Sequence, residues 1–181
     1  LFSVLVVTAA LAQDEVLRPI TGTYEPGNTK PVWVSMSGLT GEAASTLQFD
    51  LYVQGFAFTN AESAQYLISG SNNGNLQAKA SDAFNKRVLV SKSYSGASLR
   101  RQVHAFADDF VQALSRKPIA QTKVAFKGES NRRSEIYIAD YDGANQRRLT
   151  TNRTLNINPA WSPDARSIAY TSYRRGIPDI F

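Results

Sequence analysis

The fold is decided by two stretches, IYIADYDGANQRRLT at residues 136–150 and NPAWSPDARSIAYTSYRRGIPDIF at residues 158–181. In both stretches, short runs of apolar and β-branched residues alternate with clusters of Asp, Asn, Gly, Ser and Pro. Runs of this length between turn-forming clusters are typical of short strands joined by tight turns. This part of the chain is therefore predicted to be all β.

The same region matches itself at a fixed offset of 44 residues. Lys123–Phe126 aligns with Ser167–Tyr170, and Glu135–Tyr137 aligns with Asp179–Phe181. One four-stranded propeller blade takes about 40–50 residues. The repeat therefore predicts that residues 118–181 hold about one and a half blades of an incomplete β-propeller of WD-like repeats.

Two turn motifs punctuate this repeat. The first consists of Asp140, Asp142, Gly143 and Asn145, and the second of Pro159, Trp161, Ser162, Pro163 and Asp164. The glycine of the first motif can take a positive φ, which suits a hairpin. In the second motif, residues 158–164 predict a rigid turn whose tryptophan packs between neighbouring blades. The first motif is superficially similar to a calcium loop, but it lacks the third oxygen ligand and the closing glutamate, so no metal site is expected.

Residues 13–117 have a different pattern, in which strands and helices are intermixed. A strand is predicted over 32–36, and a helix over 42–54 from the spacing of Ala44, Leu47 and Leu51. Gly55 is placed to end that helix in a left-handed conformation. A further short strand is predicted over residues 66–68.

A hairpin and a second helix complete this region. The hairpin is predicted from the alternation of Leu76, Ala78 and Ala80, followed by that of Val88 and Val90. The second helix is predicted to start after Ser98 and to end at Lys117-Pro118, because proline disfavours helical backbone in the residue before it. Its apolar stripe is Leu99, Val103, Phe106, Phe110 and Leu114. Together these elements predict an α/β domain over residues 13–117, with a mixed sheet and two main helices.

The first residues indicate export. Residues 1–11 are almost wholly apolar, and Ala10-Leu11-Ala12 is an A-x-A signature. We predict a signal peptide over residues 1–12 whose basic n-region is missing, with cleavage after Ala12. The alternative is a buried N-terminal strand. No later stretch is long enough to cross a bilayer, so the mature chain is expected to have no transmembrane segment.

At the two turn motifs the chain resembles the TolB family, the periplasmic component of the Tol-Pal envelope system of Gram-negative bacteria. The family repeats a D-x-D-G-x-N-x-x-x-L-T turn and a P-x-W-S-P-D-G turn, and this sequence departs from the second at Ala165, where the family usually has glycine. In the N-terminal region, Leu99-Arg100-Arg101, His104 and Ala107-Asp108-Asp109 look like the helix that precedes the family's propeller. The resemblance implies an α/β domain joined to a six-bladed propeller.

The resemblance also implies a location and partners. It implies the periplasm, binding of the peptidoglycan-associated lipoprotein Pal by the propeller, and binding of TolA by the segment just after signal cleavage. Here that segment is Gln13, Asp14, Glu15, Val16, Leu17 and Arg18. The match to the family within it is limited to Val16 and Arg18.

Catalytic chemistry has few candidates in this composition. The 181 residues include no cysteine and one histidine, His104, which excludes thiolate catalysis, Cys/His zinc sites and multi-histidine metal centres. No G-x-S-x-G elbow supplies a nucleophile for that histidine. We expect His104 to make either a hydrogen bond to Asp108 on its own helix or a packed contact between domains. No catalytic residue, no metal and no cofactor is therefore predicted.

Three functions remain open at this point. The leading hypothesis is a non-enzymatic periplasmic scaffold of the Tol-Pal system that binds Pal and TolA and supports outer-membrane integrity and constriction during cell division. The alternative is the propeller-bearing N-terminal part of an exported hydrolase or peptidase. The third is a polyanion binder that uses the arginine pairs of residues 118–181, a region with 10 basic and 6 acidic side chains. Without a binding motif, solvated turn residues explain these pairs better, and no nucleic acid is expected.

The chain is too short to hold a complete propeller of this kind. A propeller closes with roughly 4–8 blades, and only about one and a half are predicted here. We therefore expect the 181 residues to be a fragment of a longer protein.

Overall fold

The computed structural model describes residues 30–96, 98–130 and 133–181. The predicted signal peptide and the segment Gln13–Arg18 lie outside the described residues. Within them the chain forms two helices and eleven strands. No helix in this described part is long and apolar enough to span a membrane.

The first seven strands and helices make an α/β unit. They are β1 (Val32–Ser37), α1 (Gly41–Val53), β2 (Phe56–Phe58), β3 (Tyr66–Ser71), β4 (Leu76–Asp82), β5 (Val88–Tyr94) and α2 (Leu99–Ala113). The strands form one sheet in the order β2-β1-β3-β4-β5, with β1 parallel to both β2 and β3 and the other pairs antiparallel. The predicted mixed sheet with two helices is thus confirmed.

The core of this unit lies between the sheet and the two helices. The alternation on β4 buries Leu76, Ala78 and Ala80, as a strand with one covered face requires. The helical residues that meet them include Leu47, Leu51, Val103, Phe106 and Phe110, each of which is fully buried. Burying side chains of this size gives each of them about 1.5–3 kcal/mol relative to exposure. The position of α2 is therefore determined by the apolar stripe that the sequence predicts.

Several predicted boundaries differ in the structure. Helix α1 begins at Gly41 and buries Ala43 rather than Ala44, while β3 extends to Ser71. Helix α2 ends at Ala113, before Lys117-Pro118, because the backbone turns at Ser115, where φ is 57°. Proline therefore does not end this helix.

The hairpin contains one irregularity that the alternation does not predict. Ala80 pairs with Val90 but Ser81 pairs with Val88, so one extra residue is inserted in β5. Such a bulge shifts the residues beyond it to the opposite face of the sheet. Val88 is accordingly 47% exposed, whereas Val90 is buried.

Two three-stranded antiparallel sheets follow. The first contains β6 (Lys123–Ser130), β7 (Arg133–Asp140) and β8 (Arg147–Arg148), and the second contains β9 (Asn156–Trp161), β10 (Ile168–Ser172) and β11 (Asp179–Ile180). Strand β9 packs against β6 and β7. Residues 31–181 thereby form one compact unit.

The two sheets share one pairing register at the predicted offset. Lys127 pairs with Ile136 in the first sheet, and Thr171 pairs with Ile180 in the second, each 44 residues further on. The offset also relates two aromatic pairs, Phe126 with Tyr137 at 5.7 Å between ring centroids and Tyr170 with Phe181 at 6.1 Å. The repeat seen in the sequence is therefore a structural repeat of strand pairs.

The second turn motif is shorter than predicted. Pro159 and Trp161 belong to strand β9, and only residues 162–165 form the turn. Two residues of β9, Asn158 and Pro159, lie opposite Tyr170 between regular pairs. The resulting bulge accommodates a proline within a strand because proline cannot donate a ladder hydrogen bond.

Candidate functional site

The strongest cluster of interacting polar side chains joins the α/β unit to the turn after β7. His104 on α2 is only 2% exposed, and its Nδ1 lies 2.8 Å from Asp50 Oδ2 on α1. Its Nε2 lies 3.1 Å from Asp142 Oδ2 in the turn, without hydrogen-bond geometry. The predicted alternative of a bond to Asp108 is not formed, and the histidine instead makes the packed contact between the two regions. We call this cluster the polar junction.

Tyr141 and Arg100 complete the polar junction. The Tyr141 hydroxyl donates a hydrogen bond to Asp50 Oδ1, and its ring packs edge-on against His104 at 5.7 Å. The Arg100 Nε donates to Asp142 Oδ2 at 2.7 Å. Two buried carboxylates are therefore matched by one guanidinium and one imidazole, which satisfies the requirement that buried charges be paired.

The surroundings of His104 favour its protonated form. Burial by itself lowers the pKa of an imidazole, but the hydrogen bond and charge of Asp50, together with the charge of Asp142, outweigh it and raise the pKa of His104. For Tyr141, burial and the bond to Asp50 both raise the pKa of the hydroxyl, which therefore stays protonated. Both shifts thus favour the protonated forms of the two side chains in the polar junction.

Asp108 has a separate role four residues further along α2. Its Oδ1 accepts a hydrogen bond from the Ala120 backbone N–H at 2.7 Å. Its Oδ2 accepts from the backbone N–H of Gln121 at 3.0 Å and from the side-chain amide of Gln121 at 3.1 Å. A buried carboxylate with three donors is fully satisfied. Asp108 therefore clasps the connection between α2 and β6.

The first turn motif lies at the end of β7. Asp140 accepts from the Lys123 ammonium at 2.7 Å and from the Asn145 amide at 2.6 Å. Gly143 and Asn145 take positive φ values of 83° and 53°. Asp142 Oδ1 accepts from a backbone N–H within the turn, while its Oδ2 reaches the polar junction. Within the described residues, no group of three His, Cys, Asp or Glu side chains is arranged to hold a metal ion.

The second turn motif lies at the far end of the chain, away from the polar junction. The Ser162 hydroxyl donates to Asp164 Oδ1 at 2.6 Å, and the Ala165 N–H donates to the Ser162 carbonyl. Ala165 itself has a φ of 56°. Pro163 lies inside the same turn. Trp161 faces a 280 Å³ cavity that is also lined by Ile136 of β7.

A second polar cluster, between the two three-stranded sheets, was not predicted from the sequence. Asn156 is fully buried, and its amide donates to the Ser134 carbonyl and to Asn152 Oδ1, each at 2.7 Å. Its side-chain oxygen accepts from the Ser172 hydroxyl at 2.7 Å. Glu135, also buried, accepts from the Thr150 hydroxyl and from the backbone N–H of residue 153. These bonds tie β7 to β9 and β9 to β10.

Comparison with known proteins agrees with this architecture. No family model matches the chain. It is 37% identical over 173 residues to the Tol-Pal system protein TolB of Geobacter sulfurreducens, covering 88% of this chain and 38% of that protein. It is 32% identical over 126 residues to TolB of Desulfosudis oleivorans, covering 65% of this chain and 29% of that protein. The chain therefore spans about a third of the length of these curated relatives.

A solved structure supports the fold. The crystal structure of TolB from Acinetobacter baumannii matches with a TM-score of 0.73 over 84% of this chain and 46% of that chain, at 18% sequence identity. The fold and the polar junction define a class of protein with two parts. A mixed α/β unit comes first, and buried ion pairs join it to antiparallel sheets that repeat every 44 residues. Within this class, the chain is TolB-like.

Proposed function

We propose that this chain contributes to a non-enzymatic periplasmic scaffold of the Tol-Pal system, one that binds Pal and TolA and supports outer-membrane integrity and constriction during cell division. The observation that carries the proposal is the 37% identity to a Tol-Pal system protein TolB over 88% of the chain. The periplasmic location rests on this likeness and on the signal peptide predicted over residues 1–12.

The non-enzymatic part of the proposal is supported by the environment of His104, the candidate catalytic side chain. His104 is the one histidine of the sequence, and it is buried between two carboxylates. A general base needs to reach a substrate proton directly or through one water. The imidazole is instead engaged with Asp50, and its raised pKa favours the protonated form, which cannot accept a proton. These contacts support a structural role for His104 in joining the α/β unit to the turn after β7.

The propeller assignment is part of the same proposal. We place the α/β domain at residues 13–117 and one and a half WD-like blades at residues 118–181. The matched strand register at an offset of 44 residues supports this reading, because neighbouring blades repeat one pairing scheme. The buried bonds of Asn156 between the two sheets also support it.

Partner binding is tested with the full-length protein in pull-down and titration experiments. The purified periplasmic domains of TolA and Pal are titrated separately, and a Kd of about 1 μM or tighter is expected for each. Replacing Val16 and Arg18 together, as V16D/R18E, is expected to weaken TolA binding at least tenfold while Pal binding is unchanged. D164N, in the distant second turn motif, is the matched control and leaves TolA binding within twofold. Failure of the unmodified chain to bind either partner at micromolar concentration contradicts the proposal.

A further inference from the structure

A pocket of about 530 Å³ opens between α2 and the start of β6, next to the polar junction. Its walls come from the end of β5, the first turns of α2, residues 120–123 and Asp140 at the end of β7. Small-molecule sites typically measure about 300–1,000 Å³. We call it the α2–β6 pocket, and its size suits a metabolite rather than a single ion.

Three cationic side chains line the α2–β6 pocket from three different elements. They are Lys92 on β5, Arg101 on α2 and Lys123 on β6. The Lys92 ammonium lies 2.7 Å from Asp109, and the Lys123 ammonium lies 2.7 Å from Asp140. The Arg101 guanidinium makes no ion pair with any described residue. Three cations thus face two carboxylates, Asp109 and Asp140, which leaves one excess positive charge at the pocket.

The carboxylate that lines the pocket limits where a ligand can place its own charge. Burial raises the pKa of Asp140, but its bonds with Lys123 and Asn145 and the charge of Arg101 more than offset this and lower it. Asp140 is therefore ionised at neutral pH and repels an anion from the Lys123 end of the pocket. Lys92 is likewise paired with the carboxylate of Asp109. The Arg101 guanidinium, which has no ion-pair partner among the described residues, is therefore the favourable place for negative charge.

The remaining residues that line the pocket favour a small polar ligand. Ser93 and Ser95, at the end of β5 and just after it, also line the pocket. Ala105 and Ala120 line the pocket with short side chains, which leave the volume open. Hydroxyl groups can donate to an oxyanion, and the flat guanidinium of an arginine can grip two oxygens of a carboxylate or phosphate at once.

We propose that the α2–β6 pocket is a binding site for a small molecule bearing an oxyanion, a carboxylate or a phosphate, that is seated on the Arg101 guanidinium. A ligand held there contacts both α2 and β6. Because it binds the folded chain alone, it stabilises the joined arrangement of the two regions. This site is independent of the proposed binding of Pal and TolA.

The test uses the full chain with two probes, inorganic phosphate and glutarate, at constant ionic strength. Titrations are followed by calorimetry and by the amide resonances of the α2–β6 pocket. Saturable binding of at least one probe is expected, and the probe that binds identifies the phosphate or the carboxylate as the preferred group. R101Q is expected to weaken that binding at least tenfold. R87Q removes the same charge from an exposed loop position outside the pocket and is expected to change it less than twofold.

Three results would overturn the assignment. One is the absence of saturable binding of both probes at millimolar concentration. Another is equal weakening by R101Q and R87Q, which would mean that the chain attracts anions only through its net charge. The third is unchanged binding in R101Q. Far-UV circular dichroism and thermal unfolding of R101Q establish that the variant is folded, which is expected because Arg101 is an exposed residue.

Discussion

Removing the imidazole of His104 is expected to destabilise the chain strongly, and in a manner that depends on pH. In H104L, the fully buried Asp50 loses a 2.8 Å partner and Asp142 loses a neighbouring positive charge. Breaking a buried ion pair by removing one partner costs about 3–5 kcal/mol. H104N keeps a donor close to the position of Nδ1, so its expected loss is smaller, about 1–2 kcal/mol.

The pH dependence follows from the direction of the pKa shift. The pKa of His104 is raised in the folded chain by Asp50 and Asp142, against the opposing effects of burial and Arg100. The folded state therefore holds a proton that the unfolded chain releases above about pH 6.5. This contribution to stability is complete below that pH and is lost as the pH rises through the folded-state pKa. One group can change the free energy of unfolding by no more than about 1.4 kcal/mol per pH unit.

Urea unfolding at pH 6 and pH 8.5, followed by far-UV circular dichroism, measures both effects. The unmodified chain is expected to be more stable at pH 6, and both variants are expected to lose that difference. Comparing each variant with the unmodified chain at the same pH isolates His104, because the sequence contains no other histidine. The reasoning is refuted if the difference between the unmodified chain and H104N is the same at both pH values, or larger at pH 8.5.

Three substitutions test the backbone and the buried contacts, and urea or thermal unfolding measures each. A165G is expected to stabilise the chain by about 0.5–1 kcal/mol because Ala165 holds a φ of 56°; a lower midpoint would contradict this. G38A is expected to cost about 3 kcal/mol or more, because a Cβ there would lie 2.2 Å from the Gly70 carbonyl oxygen at a φ of +78°. Its control, G74A, also has a positive φ but open space around it, and should cost only about 1–2 kcal/mol. N156A is expected to lower the free energy of unfolding by about 3 kcal/mol, because it leaves the buried Ser134 carbonyl and Ser172 hydroxyl without their partner. A loss below about 1 kcal/mol would show that the buried amide does not tie the sheets together.

Local pattern was sufficient to predict most of the elements. Val103, Phe106 and Phe110 of the α2 stripe and the alternation on β4 are buried as predicted, while Leu99 and Leu114 are partly buried. Each pattern depends only on the period of one regular element. Ser98 caps α2 by accepting from the Arg101 N–H, which is also a local interaction. The bulges in β5 and β9 were not predicted, because an inserted residue is defined by the partner strand and leaves no periodic trace.

The polar junction could be predicted only in part. His104 was expected to pack between the two regions or to bond within its helix, but Asp50 and Asp142 were not expected as its partners. Asp50 lies 54 residues from His104 and 91 from Tyr141, and the pattern within one helix does not specify such long-range contacts. One signal was present. Thr46 and Asp50 occupy the buried side of α1 beside Leu47 and Leu51, and a charged residue in that position requires a partner.

The clasp formed by Asp108 changes what the connection after α2 can do. Without these bonds, residues 114–122 would form a flexible connection, and the sheets could rotate relative to α2. Both oxygens of Asp108 accept hydrogen bonds from the backbone at residues 120 and 121. A rotation of the sheets is therefore transmitted to α2 and is not absorbed by the connection. The amide protons of Ala120 and Gln121 should then exchange with solvent at the slow pace of the helix. A rotation of β6 would therefore be transmitted to α2 with little loss.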